Sequence, residues 1–323
     1  MLGPQGSLRR FVARRLVLAL PVLSIIAITT FAASRLAPGN PAALMLGDGA
    51  SEEQIHRMSE KWGLGEPLYT QFGSWLSNLA HGDLGESLRF AHPVTQVLSE
   101  HVGPTLSISL LALVIVIGVG IPLGLIAGRF RGSALDRVLM GSTFIGMSLP
   151  EFWVAMLLVA FFAVHMGWFP VSGYVDPTVS VTGWLAAITL PAIALAIDHL
   201  ALLARMVRDS VISTSAEPWV TSLRARGLSD AVVVGRHQLK SASVTALTVI
   251  GNSIAGFLVG AVAVETVFNI PGFGWMTVQA ALQRDYPLLQ GAVLASAFTY
   301  VIGNLCVDAL YAVIDPRIRA EGA

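Results

Sequence analysis

Ionisable side chains are scarce in this chain, so the few that interrupt its apolar stretches are the first to read for chemistry. Asp198 and His199 are neighbours inside a run of alanines and leucines, and Glu265 closes another apolar run. An acid and an imidazole in such surroundings can line a solute pathway or pair with each other or with Arg205. Polar groups inside apolar spans are costly, and function is the first explanation to test. Glu265 has two competing readings, as a solute contact and as a capping or gate-packing group. Catalysis finds no support. No Ser/His/Asp or Cys/His arrangement is recognisable, nor is a pair of intramembrane carboxylates at protease-like spacing. His81, His92 and His101 give neither an i,i+4 face nor an HExxH pattern, so no metal site is expected. The single cysteine, Cys306, has no intrachain disulfide partner.

Nucleotide chemistry is excluded more firmly. A P-loop needs G-x-x-x-x-G-K-[ST], whose backbone amides and lysine hold the phosphates. The only lysines are Lys61 and Lys240, and neither follows a glycine. ATP, if used, is hydrolysed by another polypeptide.

A second kind of chemistry lies in a charged hairpin, Arg205 to Lys240, between two apolar stretches. Ser215-Ala216-Glu217-Pro218 predicts a helix start with a hydroxyl cap, an acid in the first turn and a proline. Trp219 to Arg226 then allows about two helical turns, and Gly227 is placed to end them in a left-handed conformation, where a side chain is expected to obstruct the turn. Ser229 and Asp230 can start a second helix. The expected product is helix, glycine turn and helix, presenting Arg224, Arg226, Arg236 and Lys240 to acidic groups of a partner.

These groups need apolar elements to hold them. The chain is 54% hydrophobic and 12% charged over 323 residues, with mean hydropathy +0.69, whereas soluble domains carry about 25% charged residues. Net charge is zero, which gives no attraction to nucleic acid. Six segments are long enough to span a bilayer, which takes about 20 residues: near 16–35, 105–128, 138–165, 184–204, 243–265 and 289–312. The third contains Pro150 and Glu151 and is expected to kink or break. The first is expected to be a retained span rather than a cleaved signal, because its apolar run exceeds the about 7–15 residues of a signal core.

Basic residues set the orientation. Fifteen of the 20 Lys and Arg fall in the N-terminal segment, the 129–137 loop, the hairpin and the C-terminal tail. The 36–101 loop has three, Arg57, Lys61 and Arg89, against eight acids. Both termini and the hairpin are therefore expected in the cytoplasm and the large loop outside. That loop carries two helical patterns, one from Ser51 through Ile55, Met58 and Trp62, the other from Pro67 to Leu79 with Phe72 and Trp75. Their apolar faces must cover the bundle or a partner.

The residues also carry a resemblance. Arg35-Leu36-Ala37-Pro38-Gly39-Asn40-Pro41 follows the first span, and Gly82-Asp83-Leu84-Gly85 with Ser87-Leu88 lies in the outer loop. Ser148-Leu149-Pro150, Gly167-Trp168-Phe169-Pro170, Gly173-Tyr174 and Val264-Glu265-Thr266-Val267-Phe268 follow, then Ile270-Pro271-Gly272-Phe273-Gly274, Asp285-Tyr286-Pro287 and Asp315-Pro316-Arg317. In order and spacing, from about residue 14 to 319, the chain resembles binding-protein-dependent ABC permeases for dipeptides, oligopeptides and nickel. In the hairpin, Arg224-Ala225-Arg226-Gly227-Leu228-Ser229 with Arg236-His237 resembles that family's coupling loop; Pro218, Leu223 and Thr245 depart from its usual residues.

The resemblance implies an all-α integral membrane protein, six transmembrane helices in the type I ABC importer permease fold. Its expected parts are a cytoplasmic N-terminus (1–15), a first span (16–35) and an extracytoplasmic helical loop (36–104). A five-helix core (105–314) carrying the coupling loop (205–242) and a cytoplasmic tail (315–323) follow. It implies a peptide-translocating permease rather than an enzyme, in the plasma (inner) membrane of a prokaryote. The implied partners are a second homologous permease, ABC ATPase subunits that hold ATP and Mg, an extracytoplasmic solute-binding protein and membrane lipid. This chain would bind no cofactor. ATPase coupling falls to Trp219, Arg224, Ala225, Arg226, Gly227, Leu228 and His237, and binding-protein contact to Trp62, Trp75 and Asp83. The competing class is an ion-coupled secondary transporter working through Asp198, His199 or Glu265 without an ATPase. Such carriers often show internal repeats with paired broken helices, and only one interrupted segment is legible here.

Overall fold

The computed structural model describes residues 4–36, 41–46, 49–61, 63 and 65–314. Thirteen α-helices are described: α1 (Pro4–Leu36), α2 (Pro41–Leu46), α3 (Glu52–Lys61), α4 (Leu68–Ala80), α5 (Val94–Arg129), α6 (Ala134–Ser148) and α7 (Glu151–Leu158), then α8 (Val181–Thr214), α9 (Pro218–Ala225), α10 (Asp230–Val232), α11 (Leu239–Phe268), α12 (Phe273–Leu282) and α13 (Tyr286–Ile314). π-Helical turns continue α7 over Val159–His165 and join α10 to α11 over Val233–Gln238. Among the described residues the only β pairing is one bridge, Glu86 to Pro93.

Four helical stretches are long and apolar enough to cross a membrane: Val17–Leu36, Val94–Arg129, Val181–Thr214 and Tyr286–Leu305. Two bent pairs bring the total to six, Ala134–Ser148 with Glu151–His165 and Thr245–Phe257 with Gly260–Phe268. The first pair turns by 105°. Its cause is local: Pro150 disfavours helical geometry in the preceding residue, and Leu149 is extended at φ −98°, ψ 128°. The second pair bends by 52°, an interruption that the sequence reading did not anticipate.

Side-chain caps start several helices. Ser133 and Ser180 accept from the Asp136 and Gly183 amides at 3.1 Å each. At α3, the Gln54 amide donates to Ser51 Oγ and the Ser51 amide to Gln54 Oε1, a reciprocal capping box.

The chain divides into two compact units. One comprises residues 1–15, 104–271 and 302–323. Its core is built on α8, whose Leu195, Leu203, Val207 and Val211 are buried and which packs against α6, α7 and α11. Glycines one turn apart on α5 admit α8 closely. A Cβ at Gly124 would lie 2.5 Å from the Ala204 carbonyl oxygen, and one at Gly128 2.7 Å from Val211 Cβ. This is small-residue packing between apolar helices, where no side chain can come between the backbones.

The other unit comprises residues 16–103 and 272–301. Val94, Val97 and Leu98 pack there with Met276, Ala280, Leu288 and Ala292. Beside this core, buried Asp285 accepts from the Ser87 hydroxyl at 2.5 Å and from the Arg89 and Leu288 amides at 3.1 and 3.2 Å. The motif at Ser87-Leu88 and the motif at Asp285-Tyr286-Pro287 are thus two halves of one buried joint.

Candidate functional site: the charged hairpin

The hairpin leaves α8 at Thr214 and returns through α10 and the π-helical turn into α11. Between them, α9 is a short helix with Pro218 at its first position, where the missing N–H is not needed. The expected hydroxyl cap does not form. Glu217, not Ser215, stands at the N-cap, and its side chain makes no capping bond. Ser215 instead ends α8, its hydroxyl donating to the Val211 carbonyl at 2.6 Å. A hydroxyl one turn beyond a helix's last free carbonyls meets them before it can reach forward to the next helix.

The end of α9 follows the sequence expectation. Gly227 has φ +81°. Its amide donates to the Arg224 carbonyl at 2.9 Å, and the Leu228 amide to the Leu223 carbonyl at 3.3 Å. These two bonds form a Schellman motif, satisfying carbonyls that the helix end would leave open. The reason for glycine differs from the expected one. A Cβ here would meet nothing within 4 Å, so the left-handed backbone, not obstruction, demands glycine.

Charge in the hairpin is partly internal. Arg224 Nε donates to Asp230 at 2.9 Å, which ties α9 to the start of α10. Asp230 therefore braces the turn, and Ser229 at the α10 N-cap makes no side-chain capping bond. Arg226 is exposed and forms no ion pair among the described residues. Ala225 and Gly227 are exposed, Leu228 and His237 half-buried, and Trp219 keeps 37% of its surface accessible. Val220, on the opposite side of α9, is fully buried. Buried Val220 anchors this helix, and Trp219, Ala225 and Arg226 remain exposed.

Two residues that sequence reasoning missed hold the stems. Arg208 on α8 grips Asp136 on α6 through two parallel bonds, Nε to Oδ1 at 2.7 Å and Nη2 to Oδ2 at 2.9 Å, and the Gly132 amide adds a third bond to Asp136 at 2.8 Å. Asp136 is almost wholly buried; paired, bidentate geometry is what makes a buried charge tolerable. The other is Gln238, with no exposed surface. Its Nε2 lies 3.0 Å from the Val211 carbonyl, 3.0 Å from Thr214 Oγ1 and 3.1 Å from Ser215 Oγ.

The remaining sequence candidates fall elsewhere. His199 meets Phe257 edge-on at 4.8 Å and lies in a notch at Gly256, where a Cβ would come within 2.6 Å of the ring. Glu151, just after the break, fills a like notch at Gly260, its carboxylate standing where a Cβ would go. Asp198 is half-buried. Neither Asp198 nor His199 pairs with Arg205 among the described residues; that guanidinium lies over the Phe144 ring at 5.0 Å. Glu265 is fully buried and accepts from the Thr105 hydroxyl at 2.5 Å. Nearby the Gly173 amide reaches the Phe268 carbonyl at 2.9 Å and the Tyr174 hydroxyl meets Ser107 at 3.2 Å, so the motifs at Gly173-Tyr174 and Val264–Phe268 converge.

In the second unit, Trp75 packs against Phe31 and Phe72 at 5.5 and 5.9 Å. Asp83 accepts from the Gly85 amide at 2.8 Å and shapes that turn. Leu68, Tyr69 and Leu76 of α4 remain exposed. Trp62 lies outside the described residues.

Comparison with known proteins agrees with this architecture. The family model described as binding-protein-dependent transport system inner membrane component matches residues 120–320, and its N-terminal companion matches residues 8–109. A putative peptide transport system permease protein of Brucella abortus is 41% identical over 310 residues, covering 96% of this chain and 99% of that one. The oligopeptide transport system permease protein AppB of Bacillus subtilis is 32% identical over 312 residues, with 96% and 99% covered. Among solved structures, an inward-facing MetNI methionine ABC transporter chain superposes with TM-score 0.57 at 15% identity, covering 68% of this chain and 97% of that chain. That likeness gives the fold, the type I importer permease arrangement. With both family models and full-length relatives in agreement, the chain belongs to the family of binding-protein-dependent transport system inner membrane components.

Proposed function

We propose that this chain is the permease subunit of an ATP-driven importer and forms, with a second homologous permease, the pathway through which peptides enter the cell. The observation that carries the reading is the hairpin: a short helix, closed by left-handed Gly227 and anchored by Val220, presents Trp219, Ala225 and Arg226 between two apolar spans. ABC ATPase subunits dock there and supply ATP and Mg. Leu228 and His237 complete the docking surface, and Arg224 holds its shape through Asp230. Peptide as the substrate class is supported by the full-length relatives named for peptide transport.

An extracytoplasmic solute-binding protein delivers the substrate to the loop before α5. Asp83 and the exposed apolar face of α4 beside Trp75 support that contact; Trp62 completes the proposed set. Basic-residue asymmetry supports both termini lying in the cytoplasm of a prokaryote, with the chain in its plasma (inner) membrane. Asp198 and His199 face or gate the pathway, and Glu265 serves a gate by packing against Thr105. An ion-coupled carrier would have no use for a docking hairpin of this kind.

The test is purification in mild detergent from the native membrane, followed by reconstitution with and without the co-purifying subunits. Peptide uptake that needs both ATP and a P-loop ATPase is the expected result. Uptake by the chain alone would refute the importer and favour the ion-coupled carrier.

A further inference from the structure

The hairpin can transmit a push only if its two stems move together, and the structure holds one side chain placed to join them. Gln238 is the last residue of the π-helical turn leading into α11, and its amide reaches back across the hairpin to the final turn of α8. Single π-helical turns inside longer helices are frequent at functional sites.

The chemistry around this amide is directional. The Thr214 hydroxyl donates to the Ser210 carbonyl at 2.8 Å and the Ser215 hydroxyl to the Val211 carbonyl at 2.6 Å. Both hydroxyl hydrogens are thus committed within α8, and their lone pairs face Gln238 beside the Val211 carbonyl. Three acceptors surround Nε2, which has two hydrogens. Only a donor fits there; an oxygen in its place would face three oxygens. Gln238 Oε1 is buried and has no hydrogen-bond partner among the described residues. The amide is therefore held at its nitrogen alone, a one-sided clasp on the end of α8.

We propose that Gln238 is a positioning residue for coupling: it fastens the start of α11 to the end of α8, so that displacement of α9 reaches both spans as one movement. The proposal rests on the reading of the hairpin as the ATPase dock. Its neighbours suit the role. Val211, Val220 and Val233 are fully buried, α9 packs on the π-helical turn, and the outward side of α9 stays free for a partner. Without the clasp, a push on α9 can be absorbed by separation of the stems.

The experiment uses the whole transporter in proteoliposomes, with its ATPase, sister permease and binding protein, and counts peptide moved and ATP hydrolysed in the same vesicles. Gln238→Met keeps length and burial but removes the donor. Gln238→Glu keeps the shape and places an acceptor against three acceptors. Normalised to assembled complex, peptide moved per ATP should fall roughly tenfold in both, as loss of one buried hydrogen-bonding group implies, while ATP hydrolysis falls by less than half of that factor. A merely structural residue would lower assembly, or both activities in proportion, and leave the ratio unchanged; an unchanged ratio overturns the proposal.

Should these variants fail to assemble, Thr214→Val with Ser215→Ala removes two of the acceptors while leaving Gln238 in place, and the same ratio decides. Where Gln238→Met does assemble, combining it with that pair should add almost nothing, because the groups act as one unit; a fully additive loss overturns the clasp. Wild-type vesicles that move peptide without the ATPase would overturn the importer reading and, with it, this one. That result appears in the unmutated complex, so the two failures are distinguishable.

Discussion

Replacing Gly227 tests whether the end of α9 is held by backbone conformation. The residue stands at φ +81° with open space around its missing Cβ, so a substituent costs what the left-handed backbone costs and little more. For an ordinary L-residue that is about 1–2 kcal/mol, which shifts the population of the closed turn by a factor of about 5–30. Asparagine visits this region readily, and a β-branched residue does so least. The series Gly227→Asn, Gly227→Ala, Gly227→Val should therefore lower coupled uptake progressively, with asparagine close to wild type. Hydrogen exchange gives the structural readout: the Gly227 and Leu228 amides, bonded to Arg224 and Leu223 at 2.9 and 3.3 Å, should lose protection in the same order. Uptake is measured in membranes and normalised to assembled complex, with ATP hydrolysis followed in parallel. If asparagine and valine were equally harmful, bulk against a partner would be the cause and the backbone reasoning would be wrong.

Other perturbations, at three places in the fold, have expected outcomes. Asp136→Ala should lower the thermal midpoint of the detergent-purified chain, at a cost of about 3 kcal/mol for leaving Arg208 without its main buried partner; pairing it with Arg208→Leu should recover part of the loss. Gly124→Val should sharply reduce folded protein in the membrane, because a Cβ at 2.5 Å from the Ala204 carbonyl must push backbone apart, with overpacking costs of about 1–3 kcal/mol or more. Ser87→Ala should destabilise by about 1–3 kcal/mol by thermal melting, and Asp285→Ala by more, because that carboxylate accepts from three donors.

Much of the architecture was legible because its signals are local. Apolar length marks spans wherever they lie, so the expected segments fall on the observed helices. Pro150 announced the 105° break, since proline acts on its own neighbours. Gly227 announced the end of α9 for the same reason. The 52° bend in α11 had no proline to announce it. Ser215 was misread because a hydroxyl beside two helix ends has carbonyls and amides to choose between, and the sequence does not say which lies nearer.

Membrane-spanning class, the expected positions of six spans, the short helix with its glycine stop and the family's motif order could all be read before any fold was known. The first three depend on composition or on residues within a turn of one another, and the motif order on linear spacing along the chain. The polar groups that hold the helices together emerge only from the packed fold. Gln238 bonds across 27 residues, Arg208 to Asp136 across 72, Thr105 to Glu265 across 160 and Ser87 to Asp285 across 198. That fold likewise decides that the notches at Gly256 and Gly260 receive His199 and Glu151. No periodicity or propensity encodes such pairs. A buried hydrogen bond requires both partners at about 3 Å, and that proximity arises only when the helices pack.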